Sequence, residues 1–156
     1  MQRDNIHIVA TGEAWVGSGI RSFASMIKEV IEECRNSLSL TIYTISDEEI
    51  VRSIKNALER GVSVEIFVYY PNDSTANEST KNIFALEKDY NNLLLHRISD
   101  KLLHAKVIVA DGKRFITGSA NATFSGMVTN YELGLLIEDR KVAYRILDLL
   151  RRISQP

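Results

Sequence analysis

His104 and Lys106 are separated by one residue at the mouth of a β-prone run, KVIVA. In an extended chain alternate side chains point the same way, so an imidazole and an ammonium share one face. That pair suits a phosphate ester. The lysine holds nonbridging oxygens while the histidine attacks phosphorus or carries a proton near neutral pH. Downstream, Gly118-Ser119-Ala120-Asn121 ends the following β-prone run, RFIT. The glycine permits a tight turn, and Ser119 and Asn121 offer uncharged donors to an oxyanion. Glu132 opens a further strand, from which a carboxylate can orient the imidazole of His104 through its second nitrogen. Between the two runs lies Asp111-Gly112, a strong signal for a type I′ hairpin. A turn aspartate accounts for itself structurally, so Asp111 is read as a supporting member of the catalytic group.

The elements that position these residues follow from hydrophobic spacing. Ile6 to Ala10 is a short β-type run, and Gly17-Ser18-Gly19 a loop. From Ser22 the residues Phe23, Met26, Ile27, Val30, Ile31 and Cys34 form one helical stripe. Leu38 to Ile45 is a buried strand. Ser46 with Glu49 is a capping box that opens a helix whose apolar face is Ile50, Val51, Ile54, Ala57 and Leu58; Gly61 ends it. Val62 to Tyr70 is the next strand, stopped by Pro71. This β-α-β-α-β order implies a layered α/β domain with parallel central strands. The polar loop Pro71 to Thr80, a helix Lys81 to Tyr90 and a strand Leu93 to Ile98 lead to the His104 hairpin. Glu132 to Ile137 is a last strand. Arg140 to Ile153 is a closing helix with Val142, Ile146, Leu149, Leu150 and Ile153 turned inward. The hairpin makes the sheet mixed.

The segment HAKVIVADGKRFITGSAN has the spacing H-x-K-x4-D-x6-G-S-x-N. Six fixed positions at roughly one in twenty each recur by chance about once in 10^7 to 10^8 starts. The spacing resembles the HKD signature of the phospholipase D superfamily, and Asn130-Tyr131-Glu132 matches the downstream acidic position usual there. The upstream order of helix, strand, helix and strand is similar too, so nearly the whole chain is covered. The resemblance implies an α/β fold with a mixed β-sheet flanked by helices on both faces, in one domain over residues 1–156. It implies a two-step reaction in which one histidine forms a phosphohistidine and a second protonates the leaving oxygen. His104 is then the nucleophile, Lys106 and Asn121 bind the phosphate with Ser119, and Glu132 orients His104. The motif occurs once, because neither His7 nor His96 has a lysine two residues on. The second histidine must come from another copy, as in a two-fold homodimer. This resembles the small single-motif bacterial endonucleases, which work without a metal ion.

Composition bounds the reading. The 156 residues carry 19 Lys plus Arg against 20 Asp plus Glu, one cysteine and two prolines. That is an ordinary globular composition, with no disulfide framework and no broad basic footprint for nucleic acid. No stretch approaches the roughly 18 apolar residues of a membrane span, and the first twenty residues do not form a secretory signal, so a cytoplasmic location is expected. No His/Cys cluster suggests a metal, and no cofactor is expected. His7 and His96 are read as structural, and Trp15 as packing or a dimer contact. Arg97, Lys101, Lys113 and Arg114 are candidates for a phosphate-tracking rim, with the 71–80 and 122–129 loops flanking the cleft. The leading reading is an endonuclease acting on DNA or RNA as a homodimer. Two others stay open: a phospholipid phosphodiesterase or phosphatidyl transferase, and a nucleic-acid-binding module of a larger restriction or repair system.

Overall fold

The computed structural model describes residues 4–154. Eight strands form one mixed sheet in the order β2-β1-β8-β7-β6-β3-β4-β5. The strands are β1 (Ile6–Thr11), β2 (Arg21–Ser22), β3 (Ser37–Ile42), β4 (Ser63–Tyr69), β5 (Leu93–Ile98), β6 (Val107–Ala110), β7 (Arg114–Gly118) and β8 (Glu132–Glu138). β3, β4 and β5 run parallel, while β6, β7, β8 and β1 alternate in direction outward from β3. The parallel half arises from helical crossovers, the antiparallel half from the hairpin and its continuation.

Alternation along the strands feeds two cores. Leu38, Leu40, Val64, Ile66, Ile108 and Ile116 point to the layer of α1 (Phe23–Glu33), α2 (Glu48–Glu59) and α3 (Glu78–Asp89). Phe67, Val107, Val109 and Phe115 point the other way, onto α4 (Arg140–Ile153). Helices thus cover both faces, as the sequence reading expects.

Several local expectations are corrected. α2 is capped not by Ser46 but by Asp47, whose carboxylate accepts from Ile50 N at 3.0 Å. Ser46 N is committed instead to Ala122 O, at 2.9 Å. α3 starts at Glu78 because Asn77 caps it, accepting from Thr80 N at 2.8 Å. The 122–129 loop contains a short wide-pitched helical turn, Ser125–Thr129. α4 buries Ala143, Leu147 and Leu150 and leaves Val142, Leu149 and Ile153 exposed. The helix carries two apolar stripes, and the one containing the small Ala143 allows the closer approach to the sheet.

The hairpin turn is as the sequence suggests. Asp111 and Gly112 both have positive φ, 54° and 57°, the geometry of a type I′ turn. Asp111 also ties two distant turns together. Its carboxylate accepts from Arg35 N at 3.0 Å, Asn36 N at 2.7 Å and Ser37 N at 3.0 Å, where α1 passes into β3. Burial opposes its ionisation, but the N–H groups of Ser37, Arg35 and Asn36, with the Cys34 thiol, outweigh this and hold the carboxyl below its usual value. The buried Cys34 thiol is pushed up to about 11, by burial first and the Asp111 charge second.

Candidate active site

The carboxyl ends of β3, β4 and β7 and the beginnings of β6 and β8 meet along one edge of the sheet, and His104 stands there. The segment that carries it has no regular structure, yet it is clamped. Thr41, buried on β3, donates to Ala105 O at 2.6 Å and accepts from Val107 N at 3.0 Å. Thr117 on β7 donates to Lys106 O at 3.1 Å. Between these anchors the chain is extended, so His104 and Lys106 share a face. Lys106 Nζ donates to His104 O at 2.9 Å and lies 3.3 and 3.2 Å from the two ring nitrogens. The lysine pKa is lowered by partial burial, opposed by the charge of Glu132.

Asn121 stands beside Lys106. It lines, with Lys106, Gly118 and Ala122, a small cavity of about 40 Å³ above Phe23. Its backbone is fixed from two sides. The next residue, Ala122, accepts from Ser46 N and Asp47 N, tying the strand end to the turn before α2. Gly126 packs so closely that a Cβ there would lie 2.3 Å from Asn121 O. The arrangement sets an amide beside the ammonium of Lys106, which in turn lies against the His104 ring, groups that suit a tetrahedral phosphoryl group.

Ser119 and Glu132 are near but bond to each other. Ser119 donates its hydroxyl to Glu132 Oε2 and accepts from Leu133 N at 3.0 Å. The other carboxylate oxygen of Glu132 accepts from Asn130 Nδ2 at 3.1 Å. Among the described residues Glu132 makes no hydrogen bond to His104, so the expectation that it orients the imidazole directly is corrected. β8 starts at Glu132, and its pairing with the end of β7 brings the carboxylate to Ser119 first.

Asp111 is not brought to the site. It lies at the opposite end of β6, and its carboxylate is occupied by the α1–β3 turn. Catalytic membership is corrected to a structural role. Most of the expected basic rim is also displaced. Lys113 and Arg114 sit at the hairpin end, and Arg114 lies 3.2 Å from Glu138 with Glu33 and Glu29 around it. Arg97 is held by Glu87 at 2.7 Å and covers the Phe84 ring. Lys101 is exposed on the segment leading to His104. His96 stacks on Phe67 and bonds Glu65 at 2.9 Å, a structural role as expected. Trp15 packs against Tyr131 with ring centroids 4.8 Å apart.

Sequence reasoning missed Thr41 and Tyr43. The Tyr43 ring meets His104 edge-on at 5.2 Å. Both stand in the LTIYTI run, where their alternation was visible but the strand they face was not. Among the described residues, no group of three or more His, Cys, Asp or Glu side chains is placed to hold a metal ion.

Residues 27–153 match the family model described as "Cardiolipin synthase, PLD-like domain". The chain belongs to the phospholipase D superfamily. It is similar to the DISARM protein DrmC of Bacillus paralicheniformis, 30% identical over 90% of this chain and 60% of that protein. A protein named phospholipase D from Rickettsia prowazekii is 33% identical over 75% of this chain and 55% of its own length. The chain thus spans less than two thirds of either relative. The fold matches that of the phospholipase D family member Nuc from Salmonella typhimurium with a TM-score of 0.79, at 20% identity over 95% of this chain and 92% of that one.

Proposed function

We propose that this protein is a phosphodiesterase that hydrolyses nucleic-acid phosphodiester bonds as a homodimer with a shared active site. The observation that carries the reading is one His104–Lys106–Asn121 set in these 156 residues, with no second histidine beside it among the described residues. His7 lies on β1 and His96 is bonded to Glu65. In the proposed reaction a ring nitrogen of His104 attacks phosphorus. The bond to the leaving oxygen breaks, and His104 of the partner subunit gives that oxygen its proton. Water then attacks the phosphohistidine and loses a proton to the same partner imidazole, and the N–P bond breaks. Lys106 and Asn121 hold the nonbridging oxygens through both steps.

An uncovered sheet face supports the two-fold partner. α4 shields only part of its face, leaving Ile6, Ile8, Leu133 and Leu135 exposed where β1 pairs with β8. Trp15 and Val16 rim a hollow of about 430 Å³ over Ile8 and Leu133. This patch begins one residue from Glu132, so a second copy seated on it brings its own His104 edge towards the first. An exposed apolar patch of this kind suits a second copy as its cover.

A phospholipid substrate is the second reading, favoured by Phe124 and Val128, which are exposed on the turn that follows Asn121. No helix among the described residues is long and apolar enough to cross a membrane. The test is cleavage of single- and double-stranded DNA and RNA, and of anionic phospholipid vesicles, all in EDTA, by wild-type protein and His104→Ala. The proposal expects nucleic-acid cleavage that His104→Ala abolishes. Vesicle hydrolysis without nucleic-acid cleavage would establish the lipid reading, and tight binding without cleavage a recruitment module.

A further inference from the structure

Beside His104 the carboxyl ends of β3 and β4 set three tyrosines along one groove. Tyr43 follows β3, Tyr69 closes β4 and Tyr70 follows it. The Tyr43 ring stacks on Tyr69 with centroids 5.7 Å apart and planes inclined by 25°. The same Tyr43 ring touches His104, so the aromatic run starts at the reacting imidazole and leads away from it. The groove has a volume of about 310 Å³, and Thr75, Ala76, Asn77 and Thr80 complete its walls. Those walls are tied to the fold. Asn77 donates to Ile45 O at 2.8 Å and caps α3, while Tyr70 donates its hydroxyl to Asp73 and meets Phe84 edge-on.

No lysine or arginine lines the groove, so its chemistry does not fit a phosphate. Flat rings with hydroxyl and amide groups around them fit a nucleobase, which has two π-faces and a polar edge. We infer that this groove binds the base of the nucleotide flanking the scissile phosphate, stacked on Tyr69 and Tyr43, and selects unpaired strands. A base within a duplex has both faces covered by its neighbours and cannot enter. Stacking on tyrosine tolerates every base, so the subsite reads strandedness without reading sequence. The inference rests on the nucleic-acid reading above and names its substrate class.

The experiment uses one oligodeoxynucleotide in three forms: single-stranded, paired in a duplex, and single-stranded with abasic residues flanking the cleavage position. Wild-type protein is expected to cut the first form best. Tyr69→Ala is expected to raise KM for it by about 5- to 150-fold with kcat little changed. On the abasic strand Tyr69→Ala and wild type are expected to be alike. Tyr69→Phe keeps the stacking face and is expected to keep the wild-type KM. Ala76→Leu fills the groove from a loop without disturbing the core, and is expected to raise KM as Tyr69→Ala does. Equal KM for wild type, Tyr69→Ala and Ala76→Leu on the intact single strand would overturn the inference and leave the nuclease reading standing. So would dissociation of a dimer by Tyr69→Ala in sedimentation, which would assign the ring to an interface. Wild-type protein that cuts vesicles and no nucleic acid would overturn both.

Discussion

Replacing Asp111 by Ala separates a structural aspartate from a catalytic one. Its carboxylate accepts from three consecutive backbone N–H groups, at 2.7 to 3.0 Å, on the turn that leads into β3. Hydrogen bonds to an ionised acceptor contribute about 1.5–3 kcal/mol each. They are not additive here, because Arg35 and Asn36 are exposed and their N–H groups regain water once the carboxylate is gone. Ser37 N is half-buried and recovers less. Alanine must also hold the positive φ of 54°, which asparagine tolerates better. The sum is a loss of about 2–4 kcal/mol, or roughly 4–16 °C in Tm for a chain of this size. Asp111→Asn, which keeps one acceptor oxygen and the turn, is expected to lose less than half of that. Urea unfolding gives the stabilities, and phosphodiesterase assays at a temperature where each variant is folded give kcat. A stability within about 0.5 kcal/mol of wild type for Asp111→Ala, or loss of kcat in the folded variant, would contradict a structural role for Asp111.

The same carboxyl gives a pH dependence. Its pKa is lower folded than unfolded, so the stabilisation is full above the ordinary aspartate value, about 4, and is lost as pH falls through the folded value. Acid unfolding monitored by circular dichroism should therefore lose this component in Asp111→Asn. Gly126→Ala places a Cβ against Asn121 O and is expected to lower kcat/KM about 10-fold or more while leaving a cooperative unfolding transition. Wild-type kinetics would contradict the role given to that turn. Arg114→Leu leaves Glu33 and Glu138 without their shared cation, while Glu29 keeps Arg21 at 2.7 Å; roughly 1 kcal/mol of stability should be lost and partly regained in high salt. Glu132→Gln removes the charge that opposes the lowering of the Lys106 pKa. The alkaline limb of the rate profile should therefore move to lower pH, and an unmoved limb would separate Glu132 from Lys106.

The pair at the centre of the site was legible because its geometry is local. A spacing of two residues on an extended segment places His104 and Lys106 on one face whatever the rest of the chain does. The hairpin was legible for the same reason, since Asp111-Gly112 supplies the two positive φ angles that its turn demands. Glu132 was placed correctly at a strand start, but its partner is decided by strand pairing, and β7 presents Ser119 rather than the imidazole. Arg114 looked like a phosphate contact in sequence because it lies ten residues from His104. A four-residue strand carries the chain to the far edge of the sheet, and there three glutamates surround the guanidinium. The inward face of α4 was ambiguous because two apolar stripes overlap on it, and the choice depends on which fits the sheet. Tyr43 and Tyr69 come together only when β3 and β4 pair.

The covalent step at His104 is the centre of the proposed mechanism, and a rapid-quench experiment reaches it directly. Wild-type protein mixed with excess single-stranded oligonucleotide in EDTA, quenched in alkali within one turnover and digested for mass spectrometry, should yield an acid-labile phosphoryl adduct on the His104 peptide. Rapid turnover with no adduct at any quench time, or with the adduct on another residue, would contradict the account.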